Sequence, residues 1–316
     1  MIILICGGFA MDLENIFANS VFRYRSGTDS AIDAFKNDRL FFSTPKHFND
    51  PFDAVIHVNE DKLLASIFRD LDEGMVSYLN TKVNDPTSFI NPANKDLILK
   101  YTQDPNCRAA VLADILKIID SVEDSLLSNS KTICFCEEYL STLMWSHYAD
   151  YHKGFVLAYR KDSLKNAASY SEQDEVVPTT LKLGKIRYQT QMSDYGEFFY
   201  EYLPNIYQGV PPVLYSRFLA EMLFSKTKEW EYEKEWRLCS IPNDFEKPDP
   251  VHYLSIRPWA VFLGAKMPAK QKWKLYNIAK KKDVAVFEVW TNNLSPEFKL
   301  NFQKVNPRKL KEEASK

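Results

Sequence analysis

Glycine is scarce in this chain, with only 9 among 316 residues. No stretch reads G-x-G-x-x-G or G-x-x-x-x-G-K-S/T, so a phosphate cradle of glycine amides at a helix start is excluded. The G-x-S-x-G elbow of serine hydrolases and the H-E-x-x-H zinc helix are absent as well. A nucleotide bound here would be held by side chains and strand edges. Cysteines are few and odd in number: Cys6, Cys107, Cys134, Cys136 and Cys239. Lacking a C-x-x-C pair, they fit neither a disulfide framework nor a zinc site, and small reduced thiols are expected at all five.

Long apolar runs are missing too. The opening MIILICGGFAMD has no basic flank and is broken by Gly7 and Gly8, so it reads as neither a bilayer span nor a signal peptide. Met11 is an alternative start. Neither sign of charge dominates: 40 Lys and Arg stand against 42 Asp and Glu, a net charge of −2. That balance argues against a protein that wraps nucleic acid by charge alone. A cytoplasmic location without a membrane partner is expected. What the chain does have is aromatics: 6 Trp, 17 Tyr and 21 Phe imply a large core and a surface able to stack a planar ligand.

Hydrophobic periodicity predicts α+β, with a mixed or antiparallel sheet core and helical insertions. Residues 20–26 alternate as a strand, followed by a short helix capped by Asp29 or Ser30. Residues 40–43 form a second strand, and 60–130 are a helical insertion with a polar connection near 84–96. Strands follow at TICFCEE, GFVLAYR and KIRYQ, with 165–182 a polar loop between the last two. Residues 193–228 are mostly helical, interrupted at Pro204 and Pro211-Pro212, and late strands are expected at EKEWRLCS, VHYLSI, AVFLGAKM and VAVFEVW. Residues 1–305 make one domain, and 306–316 a charged, frayed tail.

Several stretches carry candidate chemistry. In Trp230-Glu231-Tyr232-Glu233-Lys234-Glu235-Trp236-Arg237, a strand would put three glutamates and Arg237 on one face. Their repulsion needs a compensating cation, Arg237 or a metal, or a raised glutamate pKa. A solvated edge strand is the alternative. Arg23 and Arg25 share one strand face with Tyr24 opposite, a spacing suited to clamping a phosphate, although two surface arginines have the same pattern. Residues 143–154 predict a helix closed by Gly154, with Trp145, Tyr148 and Ala149 on one face and His147 within reach of Asp150. Asn49-Asp50-Pro51-Phe52-Asp53 is a turn by composition, and its two aspartates are also potential cation ligands.

In their order, FRYRS (22–26), LFFSTPKHFNDPFD (40–53), ICFCE (133–137), MWSHYADYHKGFVLAY (144–159), KIRY (185–188), WEYEKEWRL (230–238) and FLGAKM (262–267) resemble the bacterial family catalogued as domain of unknown function 2971. Cys136 stands where that family has serine more often. As a set, the early Arg strand, the aromatic helix and the late E-x-E are also similar to the ADP-ribosyltransferase plan. That resemblance implies NAD as substrate, Glu235 with Glu233 as the catalytic pair, and Arg25 with Arg23 as the anchor. It implies Ser26, Trp145, Tyr148 and His147 as walls of the nucleotide site. It further implies a macromolecular acceptor, and a toxin or phage-defence effector with a protein partner or antitoxin. The Ser-Thr-Ser signature of the arginine-modifying branch is absent. Two other classes stay open: a nuclease gathering Asp50, Asp53, Glu233 and Glu235 around Mg²⁺, and a non-catalytic interaction module with its carboxylates in internal salt bridges.

Overall fold

The computed structural model describes residues 3–6, 9–83, 92, 95–96, 100, 103–173, 179–207, 215–242, 252–291 and 296–316. The fold is α+β, built on a mixed sheet as expected. A hairpin of β1 (Ile3–Cys6) and β2 (Phe9–Asp12) comes first, then β3 (Ser20–Arg25) and β4 (Arg39–Phe41). Next are β5 (Lys131–Cys136), β6 (Phe155–Arg160), β7 (Thr179–Lys185), β8 (Arg187–Gln189) and β9 (Ser225–Thr227). Last come β10 (Glu235–Pro242), β11 (Tyr253–Ser255), β12 (Ala260–Leu263), β13 (Ala285–Thr291) and β14 (Leu300–Lys304).

Eight of these strands form one sheet in the order β14-β13-β12-β6-β3-β5-β10-β7. Only the β12–β13 pair is parallel. The helix Ala269–Lys281 supplies that crossover and buries Leu275 and Ala279 against the sheet. Alternation along the strands sends Val21, Ile133, Phe135, Leu157 and Leu238 to one core. Phe22, Tyr24, Cys136, Val156 and Phe262 enter a second core on the other face. A third cluster lies where the helices Glu60–Val83, Pro105–Asn129, Gly196–Tyr207 and Tyr215–Leu223 meet.

Several expectations are corrected. Residues 165–182 are not a loop: the helix Lys161–Gln173 buries Leu164, and β7 pairs with β10 along its length. The helix Gly196–Tyr207 runs through Pro204, while Pro211-Pro212 and most of the 84–96 connection lie outside the described residues. Thr28, rather than Asp29 or Ser30, caps the helix Asp29–Lys36, because its hydroxyl accepts from the Ala31 amide. The tail is not frayed. Asn306 caps the helix Pro307–Ser315, which seats Leu310 in the core. Cys107, Cys134, Cys136 and Cys239 are free thiols, and the Cys6 side chain lies outside the described residues.

Candidate functional site

The main sheet opens between β3 and β5. These strands are paired only at Phe22 and Cys136. Farther along, Ser43 takes the free edge of β5, exchanging backbone hydrogen bonds of 2.9 and 2.8 Å with Thr132. Arg23 bridges the opening, donating from Nη1 to the Cys134 carbonyl (3.4 Å) and from Nη2 to the Phe41 carbonyl (3.2 Å). A cavity of about 490 Å³ lies at this split, lined by Arg23 and Arg25 on one side and by Tyr148, Lys226, Glu233 and Glu235 on the other.

The stretch 230–237 is not one strand. Residues 228–233 form a 3-10 turn, Lys234 sits in the left-handed region at φ 43°, and β10 begins only at Glu235. The expected face of three glutamates therefore does not exist, and Glu231 is exposed. The kink at Lys234 instead turns Glu233 and Glu235 toward a single ammonium. Lys226 Nζ donates to Glu233 Oε2 at 2.7 Å and to Glu235 Oε2 at 3.2 Å, and lies 3.5 Å from Asp53 Oδ2. Arg237 completes the network. Its Nη1 and Nη2 hold both Asp53 oxygens (2.8 and 2.5 Å), while Nε and Nη2 hold both Glu235 oxygens (2.7 and 3.0 Å). All five residues are buried, which is tolerable only because each charge is paired.

The two glutamates differ. Burial pushes the Glu235 carboxyl up, but Arg237 and Lys226 more than reverse this and leave it at about 2. Burial also raises Glu233, and there the Lys226 and Tyr148 contacts do not restore the ordinary value. Tyr148 donates its hydroxyl to Glu233 Oε1 at 2.5 Å, and that phenol is itself held well above its usual range by burial and by Glu233. On the opposite wall burial, aided by Arg25, lowers Arg23 to about 10. Burial lowers Arg25 as well. No carboxylate among the described residues pairs with either arginine.

Arg25 and Glu235 line one cavity, but they are not on adjacent strands, since β5 intervenes. Nor do they share a sheet face. Glu235 pairs with Cys136, which pairs with Phe22, and Arg25 is three positions, an odd number, beyond Phe22. The cavity reaches both because the sheet is split. Trp145 is fully buried, gives its indole N–H to the Tyr139 carbonyl, and does not line the cavity. Ser26 lines a smaller neighbouring hollow, with Thr28, Asp150 and Tyr151. His147 and Tyr148 face both spaces.

The helix expected over 143–154 stops at Tyr148. Asp150, Tyr151 and His152 then all take positive φ, and His147 makes no ion pair with Asp150. This left-handed turn costs about 1–2 kcal/mol per residue. It is held by backbone bonds from the Lys266 amide to His152 and from the Gly264 amide to Gly154.

Lys226 was invisible in the sequence, since nothing within Phe224-Ser225-Lys226-Thr227 marks it as the partner of three carboxylates. Arg237 was legible as a compensating cation. Asp50 and Asp53 do not form a cation site together, because Asp53 is committed to Arg237 and Asp50 Oδ1 accepts from the Phe52 amide. Among the described residues, no group of three or more His, Cys, Asp and Glu side chains is arranged to hold a metal ion. Lys226 occupies the place between the carboxylates that the nuclease arrangement would give to Mg²⁺.

Much of this geometry falls inside a segment with a family match. Residues 144–238 match the family described as protein of unknown function (DUF2971). No curated protein and no solved structure matches the chain. The DUF2971 segment contributes Tyr148, Lys226, Glu233, Glu235 and Arg237, whereas Arg23, Arg25 and Asp53 come from outside it. Among the described residues no helix is long and apolar enough to cross a membrane.

Proposed function

We propose that the split-sheet cavity binds a phosphate-bearing nucleotide, with NAD as the candidate substrate, and that the protein is an ADP-ribosyltransferase-like effector of the toxin or phage-defence type. The observation that carries this is the unpaired arginine couple: Arg23 and Arg25 line the same cavity as Glu233 without a carboxylate of their own. Two desolvated guanidinium groups that repel each other favour a bound dianion, and a pyrophosphate offers bidentate acceptors to both.

The roles within the E-x-E change. Glu235 is bound through both oxygens by Arg237 and serves as scaffold. Glu233 is the catalytic carboxylate of the proposal. A ribose hydroxyl reaches its Oε1 by replacing the Tyr148 hydroxyl, which occupies that acceptor in the structure. Cleavage of the nicotinamide–ribose bond builds positive charge on the sugar, so a fixed carboxylate there is favoured most in the transition state. The acceptor is a macromolecule of unassigned class, and an antitoxin-like protein partner fits an effector role.

The test is NAD turnover by the whole chain, comparing wild type with Glu233→Gln and Glu235→Gln at matched folded fraction. Loss in the first with retention in the second supports the assignment. A wild type without NAD binding or turnover favours the non-catalytic module. The specific observation behind that second possibility is that Asp53, Glu233 and Glu235 are all internally paired.

A further inference from the structure

On the other side of Lys226 lies a second cavity, of about 520 Å³. Lys226 lines both spaces, so its side chain and the Asp50–Ala54 turn partition them. Their chemistry differs. The first carries the two unpaired arginines. The second is walled by Phe52, Met192, Met222 and Trp230, with Asp50 and Glu229 as its acidic members. The ammonium of Lys226 adds little free positive charge there, because Glu233, Glu235 and Asp53 surround it.

Two observations point to a ligand. Asp50 is only 5% exposed, and its Oδ2 has no hydrogen-bond partner although its Oδ1 is used by the Phe52 amide. A buried carboxylate oxygen left without a donor is costly. Glu229 is exposed and makes no ion pair among the described residues, while Phe52 leaves 59% of its surface uncovered. Unmatched negative charge beside aromatic and thioether walls suits a cation on an apolar body, held by carboxylates at one end and by rings along its length.

We infer that this second cavity binds an aromatic cation of the arylamidine or arylalkylamine class, with the cationic head at Asp50 and Glu229 and the ring against Phe52 and Trp230. The inference is independent of NAD chemistry in the neighbouring cavity.

The experiment titrates the full chain with benzamidine, and with benzyl alcohol as the neutral aromatic of similar size, by calorimetry. Benzamidine should bind in the micromolar to millimolar range, and benzyl alcohol at least roughly tenfold more weakly, since charge-assisted hydrogen bonds are lost. Asp50→Asn should weaken benzamidine by roughly tenfold, and the exposed Glu229→Gln by a smaller factor. If Asp50→Asn does not fold, Glu229→Gln decides alone. No benzamidine binding by wild type, equal binding of the alcohol, or affinity unchanged in the folded variants would overturn the inference. A chain that turns over no NAD yet binds benzamidine in this pattern leaves it standing.

Discussion

Lys226 donates its ammonium to Glu233 Oε2 at 2.7 Å, and both side chains are 4% exposed. This contact joins two parts of the chain that local pattern does not connect: a short strand after the helix Tyr215–Leu223, and the 3-10 turn that leads into β10. Removing the ammonium leaves Glu233, Glu235 and Asp53 around one remaining cation, Arg237. Lys226→Met should therefore destabilise the protein by about 3 kcal/mol or more, the usual cost of stranding a buried charge. Urea unfolding at neutral pH measures it. A midpoint unchanged from wild type would show that the network is not organised by Lys226.

The two glutamates should separate on substitution. Glu235→Gln weakens both contacts to Arg237 and the contact to Lys226, so it should lower stability by about 2–4 kcal/mol. Glu233→Gln should cost less, because burial already penalises the charge on Glu233. Its effect should fall on NAD turnover instead, by a hundredfold or more, about 3 kcal/mol of transition-state stabilisation. Thermal melting and turnover on the same preparations check both. The reverse pattern would return the catalytic assignment to Glu235.

Acid should act on the pair with opposite signs. Glu235 is held at about 2 against an ordinary 4.5. Its contribution to stability is therefore complete above pH 4.5 and is lost as pH falls toward 2. Glu233 is raised, so its contribution is present below 4.5 and is lost as pH rises through its elevated folded value. Wild type should thus lose stability steeply below pH 4.5, and Glu235→Gln should flatten that acid limb. Stability measured from pH 2 to 7 in both proteins tests this, and parallel curves would contradict it.

Much of the architecture was legible. Alternation in Ser20–Arg25 and Phe155–Arg160 marked strands that the sheet contains, and the spacing in DKLLASIFRDL marked a helix. The site was only half legible. Arg23 and Arg25 stand out as paired charges on a strand, but the cavity they line depends on a register break between β3 and β5 that no local pattern announces. The stretch 230–237 misled because period-two alternation of aromatic and acidic residues also suits a 3-10 turn followed by a kink at Lys234. Residues 150–152 carried no glycine, so their positive φ values were hidden. Long-range packing against Gly154 and Gly264 imposes them.

Those two glycines make a sharp stability test. A Cβ on Gly154 would stand 2.1 Å from the Arg25 carbonyl oxygen, and one on Gly264 would stand 2.2 Å from the His152 carbonyl oxygen. Both obstacles are backbone, so neither can rotate aside. Gly154→Ala and Gly264→Ala should each destabilise by more than about 3 kcal/mol, beyond ordinary overpacking. Gly74→Ala is the control, because nothing lies within 4 Å of its added Cβ. Being within a helix, it should gain up to about 1 kcal/mol. Chemical denaturation of the three variants checks the ranking.

The arginines offer the most direct test of the cavity. Arg25 makes no hydrogen bond to a protein acceptor, and burial lowers its pKa, so the folded chain gains little from its charge. Arg23 is different, because its two bonds to the Cys134 and Phe41 carbonyls span the split in the sheet. Arg25→Ala should therefore leave the melting temperature unchanged or slightly raised, as the repulsion on Arg23 disappears. It should also weaken ADP-ribose binding by roughly tenfold or more, the loss expected when a charged donor to phosphate is removed. Arg25→Lys should restore part of the affinity, because the charge returns without the planar fork. Arg23→Ala should lose affinity and stability together. Calorimetric titration with ADP-ribose, paired with melting curves, reads each arm. Undiminished affinity in Arg25→Ala would remove the anion-binding role, and a large stability loss there would make Arg25 a structural residue.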